Sequence, residues 1–106
     1  MGMPRTLPDD AEAYQQTKLF TAKTVPRSIL AQHSTKAGTW GLIRVHAGQL
    51  QYFLEGEDVP LATVPTGGTF VVLPEEVHFV RLSDDAEFLV EFHKRPGTAA
   101  PDDPHR

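Results

Sequence analysis

Turn signals break the middle of this chain about every 8–12 residues, which leaves no room for long helices. They fall at Ala47-Gly48, Gly56-Glu57-Asp58, Thr66-Gly67-Gly68 and Ser83-Asp84-Asp85. The segments between them are short and rich in β-branched and aromatic residues. Strands are therefore expected over Lys18–Thr24, Thr39–Ala47, Gln49–Leu54, Val59–Val64, Thr69–Leu73, Val77–Leu82 and Glu87–His93. Pro26-Arg27-Ser28-Ile29-Leu30 reads as a turn or a brief helix. In Thr39–Ala47, alternation puts Gly41, Ile43 and Val45 on one face and Trp40, Leu42, Arg44 and His46 on the other. Such a cadence is that of an all-β sandwich or barrel.

The ends differ from the middle. Residues 1–17 are polar and Pro-containing and read as an arm, with a short helical turn at Asp10–Gln15. Residues 95–106, with Pro96-Gly97 and Pro101-Asp102-Asp103-Pro104, read as a disordered tail that includes His105. One domain over residues 18–94 remains. Met1-Gly2-Met3-Pro4-Arg5-Thr6 formally fits the myristoylation pattern, without any other membrane signal.

Composition narrows the function. The chain has 106 residues, a formal net charge of -4 and no cysteine. The charge argues against nucleic-acid binding, which needs clustered Lys and Arg. The missing cysteines exclude disulfides, thiolate zinc ligands and thiol catalysis. No apolar run approaches the roughly 20 residues that cross a bilayer, and the first residues lack a signal-peptide core. A cytoplasmic protein is expected. Gly-x-Gly-x-x-Gly, Walker and His-Glu-x-x-His motifs are absent, and no serine sits in a Gly-x-Ser-x-Gly elbow.

Two histidines carry most of the chemistry. His33 precedes one strand and His78 opens another, so a folded β-domain is able to bring them together. Neutral imidazoles suit zinc, iron, nickel or copper. Glu91 is the best third ligand, although Phe88, Val90 and Phe92 look like the core side of its strand and would turn it outward. Glu75 and Glu76 read as solvated loop charges. His46 and His93 read as strand-end residues on the outer face. Lys36 and Arg44 offer positive charge to an anionic ligand, and Trp40 offers a pocket wall or a packing surface. Tyr52 and Phe53 alternate, so only one of them faces the interior.

Gly68, Pro74 and His78 resemble the second motif of the cupin superfamily, and His33, the Trp40–Val45 strand and Gly48 a reduced first motif. His33-Ser34-Thr35-Lys36, Gly38-Thr39-Trp40-Gly41, Gly48-Gln49-Leu50, Pro74, His78 and Val90-Glu91-Phe92 are more narrowly similar to small bacterial cupins of the YeaR/TehB-N-terminal type. That family is associated with tellurite resistance. The resemblance implies an all-β, single-domain jelly-roll (RmlC-like) cupin barrel with a metal-competent pocket. It implies a divalent transition ion (zinc, iron or nickel) on His33, His78 and Glu91, with Lys36, Trp40 and Arg44 around a small, anionic ligand. The pattern departs from the family: Thr35 stands where a second histidine is usual, Trp40 or Gly41 where a glutamate is usual, and His78 comes one residue early. A methyltransferase fused to this domain in some relatives is not expected here. The expected function is a metal-binding cupin tied to tellurite or oxyanion stress. The rivals are a metal-dependent oxygenase or isomerase and a metal-free sensor or interaction module. Expected partners are a small molecule or oxyanion and, through an edge strand, a homodimer, with no nucleic acid and no membrane.

Overall fold

A computed structural model describes residues 5–100. The myristoylation pattern spans Met1–Thr6 and so reaches only Arg5 and Thr6 of them; residues 101–106 of the tail, His105 included, lie outside. Among the described residues eight strands and one helical turn follow in chain order: β1 Glu12–Gln16, β2 Phe20–Thr21, α1 Arg27–Leu30, β3 Trp40–Ala47, β4 Leu50–Leu54, β5 Ala62–Val64, β6 Thr69–Val72, β7 His78–Leu82 and β8 Glu87–Lys94. All the pairings are antiparallel and fall into two sheets. One runs β1-β8-β3-β6, with β2 also on β8; the other runs β5-β4-β7. No helix among the described residues is long and apolar enough to cross a membrane, which says nothing of strands.

The all-β expectation holds, but the barrel is not closed. Among the described residues no ladder joins the two sheets, so they stack across a shared core with their edges open. Inward-facing residues alternate along each strand, as a sandwich requires. Ile43 and Val45 of β3, Leu50 and Tyr52 of β4, Val80 of β7, and Phe88, Val90 and Phe92 of β8 form that core with Phe20, Ile29, Val64 and Val72. The predicted alternation of β3 is the observed one: Gly41, Ile43 and Val45 are buried, and Arg44 and His46 are exposed.

Two local expectations change. The Asp10–Gln15 helical turn is instead β1, an edge strand bulged between Ala13 and Gln15. β8 offers it an unpaired ladder edge, and satisfying those backbone groups outweighs a helical turn too short to stabilise itself. The Lys18–Thr24 strand shrinks to Phe20–Thr21, because Thr21 and Thr24 hydrogen-bond each other in a local turn. Phe53 faces away from the core as alternation demands, yet it is covered: it stacks on Phe79, its cross-strand partner, at 4.7 Å, with the Arg81 guanidinium 5.0 Å above it.

Gly48 turns β3 into β4 with φ +66°, and a Cβ there would lie 2.7 Å from the Ala86 backbone nitrogen. Both facts demand glycine. This tight corner fixes the β4 register, and so places Tyr52 beside His78.

Candidate functional site

His33 lies outside any named strand. Its backbone pairs with that of His78 by two reciprocal N–H···O bonds, each of 2.9 Å. Directly opposed residues of an antiparallel pair project to the same face. The two rings therefore meet, with centroids 4.2 Å apart at 60°. His33 Nδ1 lies 2.9 Å from the Ala31 carbonyl, and His78 Nδ1 lies 2.8 Å from the Glu76 carbonyl. A carbonyl only accepts, so Nδ1 carries the proton in both rings and the lone pair of each neutral ring is on Nε2. Burial pushes the His33 pKa below its ordinary value, against the opposing pull of the Ala31 carbonyl.

Both rings line a small interior cavity of about 20 Å³, room for about one water. Ile29, Thr35, Ile43, Val72, Val80, Phe88, Val90 and Phe92 complete most of its wall. Thr35 donates its hydroxyl to the Thr39 carbonyl at 2.8 Å, so this buried polar group is satisfied.

Behind His78 stands a polar chain. Tyr52 stacks on His78 at 4.6 Å and 20°, and its hydroxyl donates to Glu76 at 2.6 Å. Arg5 holds the same carboxylate through two nitrogens, at 2.5 and 3.1 Å. Burial raises the Glu76 pKa, but the hydrogen bonds from Arg5 and Tyr52 and the Arg5 charge outweigh it, and the net shift is downward. Burial and donation to Glu76 push the Tyr52 hydroxyl well above its ordinary range. Glu75, just before, is exposed and left-handed at φ +61°, with its N–H donated to the Thr35 carbonyl at 3.1 Å. A glutamate rarely takes that conformation, which costs on the order of 1–3 kcal/mol. The turn sends Glu75 to solvent and Glu76 toward Tyr52.

The other predicted site residues lie elsewhere. Val90 and Phe92 face the cavity, so Glu91 projects from the opposite face of its sheet. There it accepts from Arg44 Nε at 2.6 Å and lies 3.3 Å from His93 Nε2. Hydrogen bonding from Arg44 lowers its pKa, with burial opposing. Trp40 stands on that outer face opposite His93, with the Arg95 guanidinium 5.7 Å from its ring. Lys36 sits in the turn closed by the Thr39 N–H on its own carbonyl. None of Lys36, Trp40 and Arg44 lines the cavity. Glu76 is half-buried and paired, not a solvated loop charge. His93 is on the outer face as expected but is buried, with Nδ1 lacking a hydrogen-bond partner among the described residues. Sequence reasoning missed Arg5 and undervalued Tyr52 and Glu76. The available signal was a polar ring on the inward face of β4, the strand that pairs directly with the one His78 opens.

The family model of the TehB-like domain matches residues 15–90. Two curated relatives, each described as a probable S-adenosyl-L-methionine-dependent methyltransferase TehB, come from Haemophilus influenzae strains Rd and 10810. They are 33% and 32% identical over 85 residues, which is 76% of this chain and 30% of theirs. The chain thus spans less than a third of the length of these relatives. Among solved structures, a protein from E. coli (strain K12) superposes with a TM-score of 0.75 at 22% identity, covering 86% of this chain and 97% of that one. TehB from Haemophilus influenzae superposes with a TM-score of 0.70 at 28% identity, covering 82% and 32%.

These findings correct the cofactor expectation. The relatives are named for S-adenosyl-L-methionine, not for zinc, iron or nickel. Among the described residues no three histidine, aspartate or glutamate side chains gather as a metal would need, since Glu91 is on the wrong side of its sheet. An adenosyl group is far larger than this cavity as it stands, which holds about one water. The TehB half of the resemblance is met, while its YeaR-type cupin half finds no support in these relatives. With the family model matching most of its length, the chain belongs to the TehB-like domain family.

Proposed function

We propose that this domain is a metal-free receptor for a small oxyacid, held at the His33–His78 pair and acting in a tellurite or related oxyanion response. The juxtaposed imidazoles carry the reading: two rings 4.2 Å apart, each fixed by Nδ1–H, on the wall of a mostly apolar cavity. The resemblance to a tellurite-associated family and the likeness to TehB support the biological setting.

The chemistry follows from burial. His33 is held neutral at pH 7, so an oxyacid that enters with its proton meets a base. Proton transfer to Nε2 creates an imidazolium that donates back to the oxyanion, and the dry wall strengthens that charge-assisted bond. The cavity must widen for this. The wall made by residues 27–35 is the part that gives, because it is one helical turn and a lone bridge rather than a ladder.

Calorimetric titration with selenite and tellurite, in two buffers of different ionisation enthalpy, tests the proposal. Saturable binding with the same heat in both buffers is expected, because the oxyacid brings the proton that it gives to Nε2, and affinity should fall about tenfold or more in His33→Gln and His78→Gln. Absence of saturable binding at millimolar oxyanion overturns it, as does unchanged affinity in both variants when they remain folded.

A further inference from the structure

We propose that Glu76, the Val71 carbonyl and the Phe70 ring form a receptor for a guanidinium group, which the chain's own Arg5 fills as an exchangeable occupant. This goes beyond the oxyacid site and does not depend on it.

All three guanidinium nitrogens and the π-face are engaged. Nη1 and Nη2 engage the two oxygens of Glu76 at 3.1 and 2.5 Å. Nε and Nη2 both donate to the Val71 carbonyl, at 3.2 and 2.9 Å. The Phe70 ring stands 4.7 Å from the guanidinium carbon and the Tyr52 ring 5.5 Å. A planar fork of donors suits this arrangement and a point-like ammonium does not. All the receptor groups come from residues 52–76, whereas the occupant lies 66 positions before Val71 and 71 before Glu76. Receptor and occupant are therefore separate pieces of chain. Between Arg5 and β1 the backbone folds on itself in one turn, Ala11 N–H to the Pro8 carbonyl, and makes no ladder. Arg5 is thus a tethered ligand, present at an effective concentration in the millimolar range. A free guanidinium compound with contacts of its own competes with it, and exchange releases the N-terminal segment from Tyr52 and Glu76.

The test is chemical rescue of full-length Arg5→Ala, followed by thermal unfolding and by the ring resonances of Phe70 and Tyr52. Methylguanidinium at about 10 mM is expected to restore at least half of the lost Tm and to move both rings with one saturation curve. Methylammonium at the same ionic strength should restore little, and Arg5→Lys should resemble Arg5→Ala more than the parent. In Arg5→Ala/Glu76→Gln the rescue should vanish. Equal rescue by methylammonium, rescue that survives Glu76→Gln, or no rescue of a folded Arg5→Ala overturns the proposal.

Discussion

The molecule holds two clusters with the same ingredients, an arginine, a glutamate and histidine, and treats them in opposite ways. On the inner side, Arg5, Glu76, Tyr52 and the Nδ1 atoms of His78 and His33 each meet a specific partner. On the outer face of the larger sheet, Arg44 and Glu91 pair at 2.6 Å, but the arginine is 45% exposed and His93 keeps an unpartnered Nδ1. The difference lies in what surrounds the charges. The two carboxylates are equally exposed at 19%, but the inner arginine is only 21% exposed and lies over aromatic rings, so the inner pair is the drier one. Water competes with the outer pair, so its partners matter little. Identical side chains therefore say nothing about function until burial is known.

Removing each glutamate is the strongest way to break this contrast. Glu76→Ala strands the Arg5 guanidinium and the Tyr52 hydroxyl in a half-buried setting, and is expected to cost about 2–3 kcal/mol. Glu91→Ala frees an arginine that already reaches water, and should cost about 0.5 kcal/mol or less. Urea unfolding of the two variants measures both. Equal losses would show that the inner cluster has no special environment.

The sequence shows one of these clusters and hides the other. Alternation in Gly41, Ile43 and Val45 reveals the core face of β3, since period-two burial is written residue by residue. The same alternation turns Glu91 outward, where it is found. The His33–His78 meeting is foreshadowed by the family resemblance, and the backbone bridge that enforces it carries no pattern of its own. Arg5 is illegible because nothing periodic links it to Glu76, 71 positions away. Glu75 and Glu76 look alike in sequence, and only the left-handed turn at Glu75 separates them. The closed barrel fails for a related reason: strand content is local, whereas closure depends on which edges meet.

Acidity gives a second, smaller test of the inner cluster. Burial holds the folded pKa of His33 below the unfolded value of about 6.5, so the unfolded chain binds more protons between the two values. Stability attributable to His33 is then full above about pH 6.5 and falls as the pH drops through the folded pKa. The slope is capped at about 1.4 kcal/mol per pH unit for one proton. His33→Gln should flatten that limb below about pH 6.5, measured by urea midpoints at each pH. An unaltered slope would mean that the ring is not desolvated, and the contrast with the outer face would weaken.

The smallest expected effect is also the most diagnostic for the outer face. His93 is 9% exposed, its Nε2 lies 3.3 Å from a Glu91 oxygen that Arg44 already engages, and its Nδ1 has no partner among the described residues. Burial of an unsatisfied nitrogen is unfavourable, and the contact to Glu91 is long, so the two contributions nearly offset. His93→Leu keeps the volume beside Trp40 and Ala13, its cross-strand neighbours, while removing the orphaned atom. Its stability should stay within about 0.5 kcal/mol of the parent, or rise. A loss of more than about 1.5 kcal/mol would show instead that Nδ1 is bonded in solution, to ordered water or to another chain. The outer cluster would then be as specifically built as the inner one.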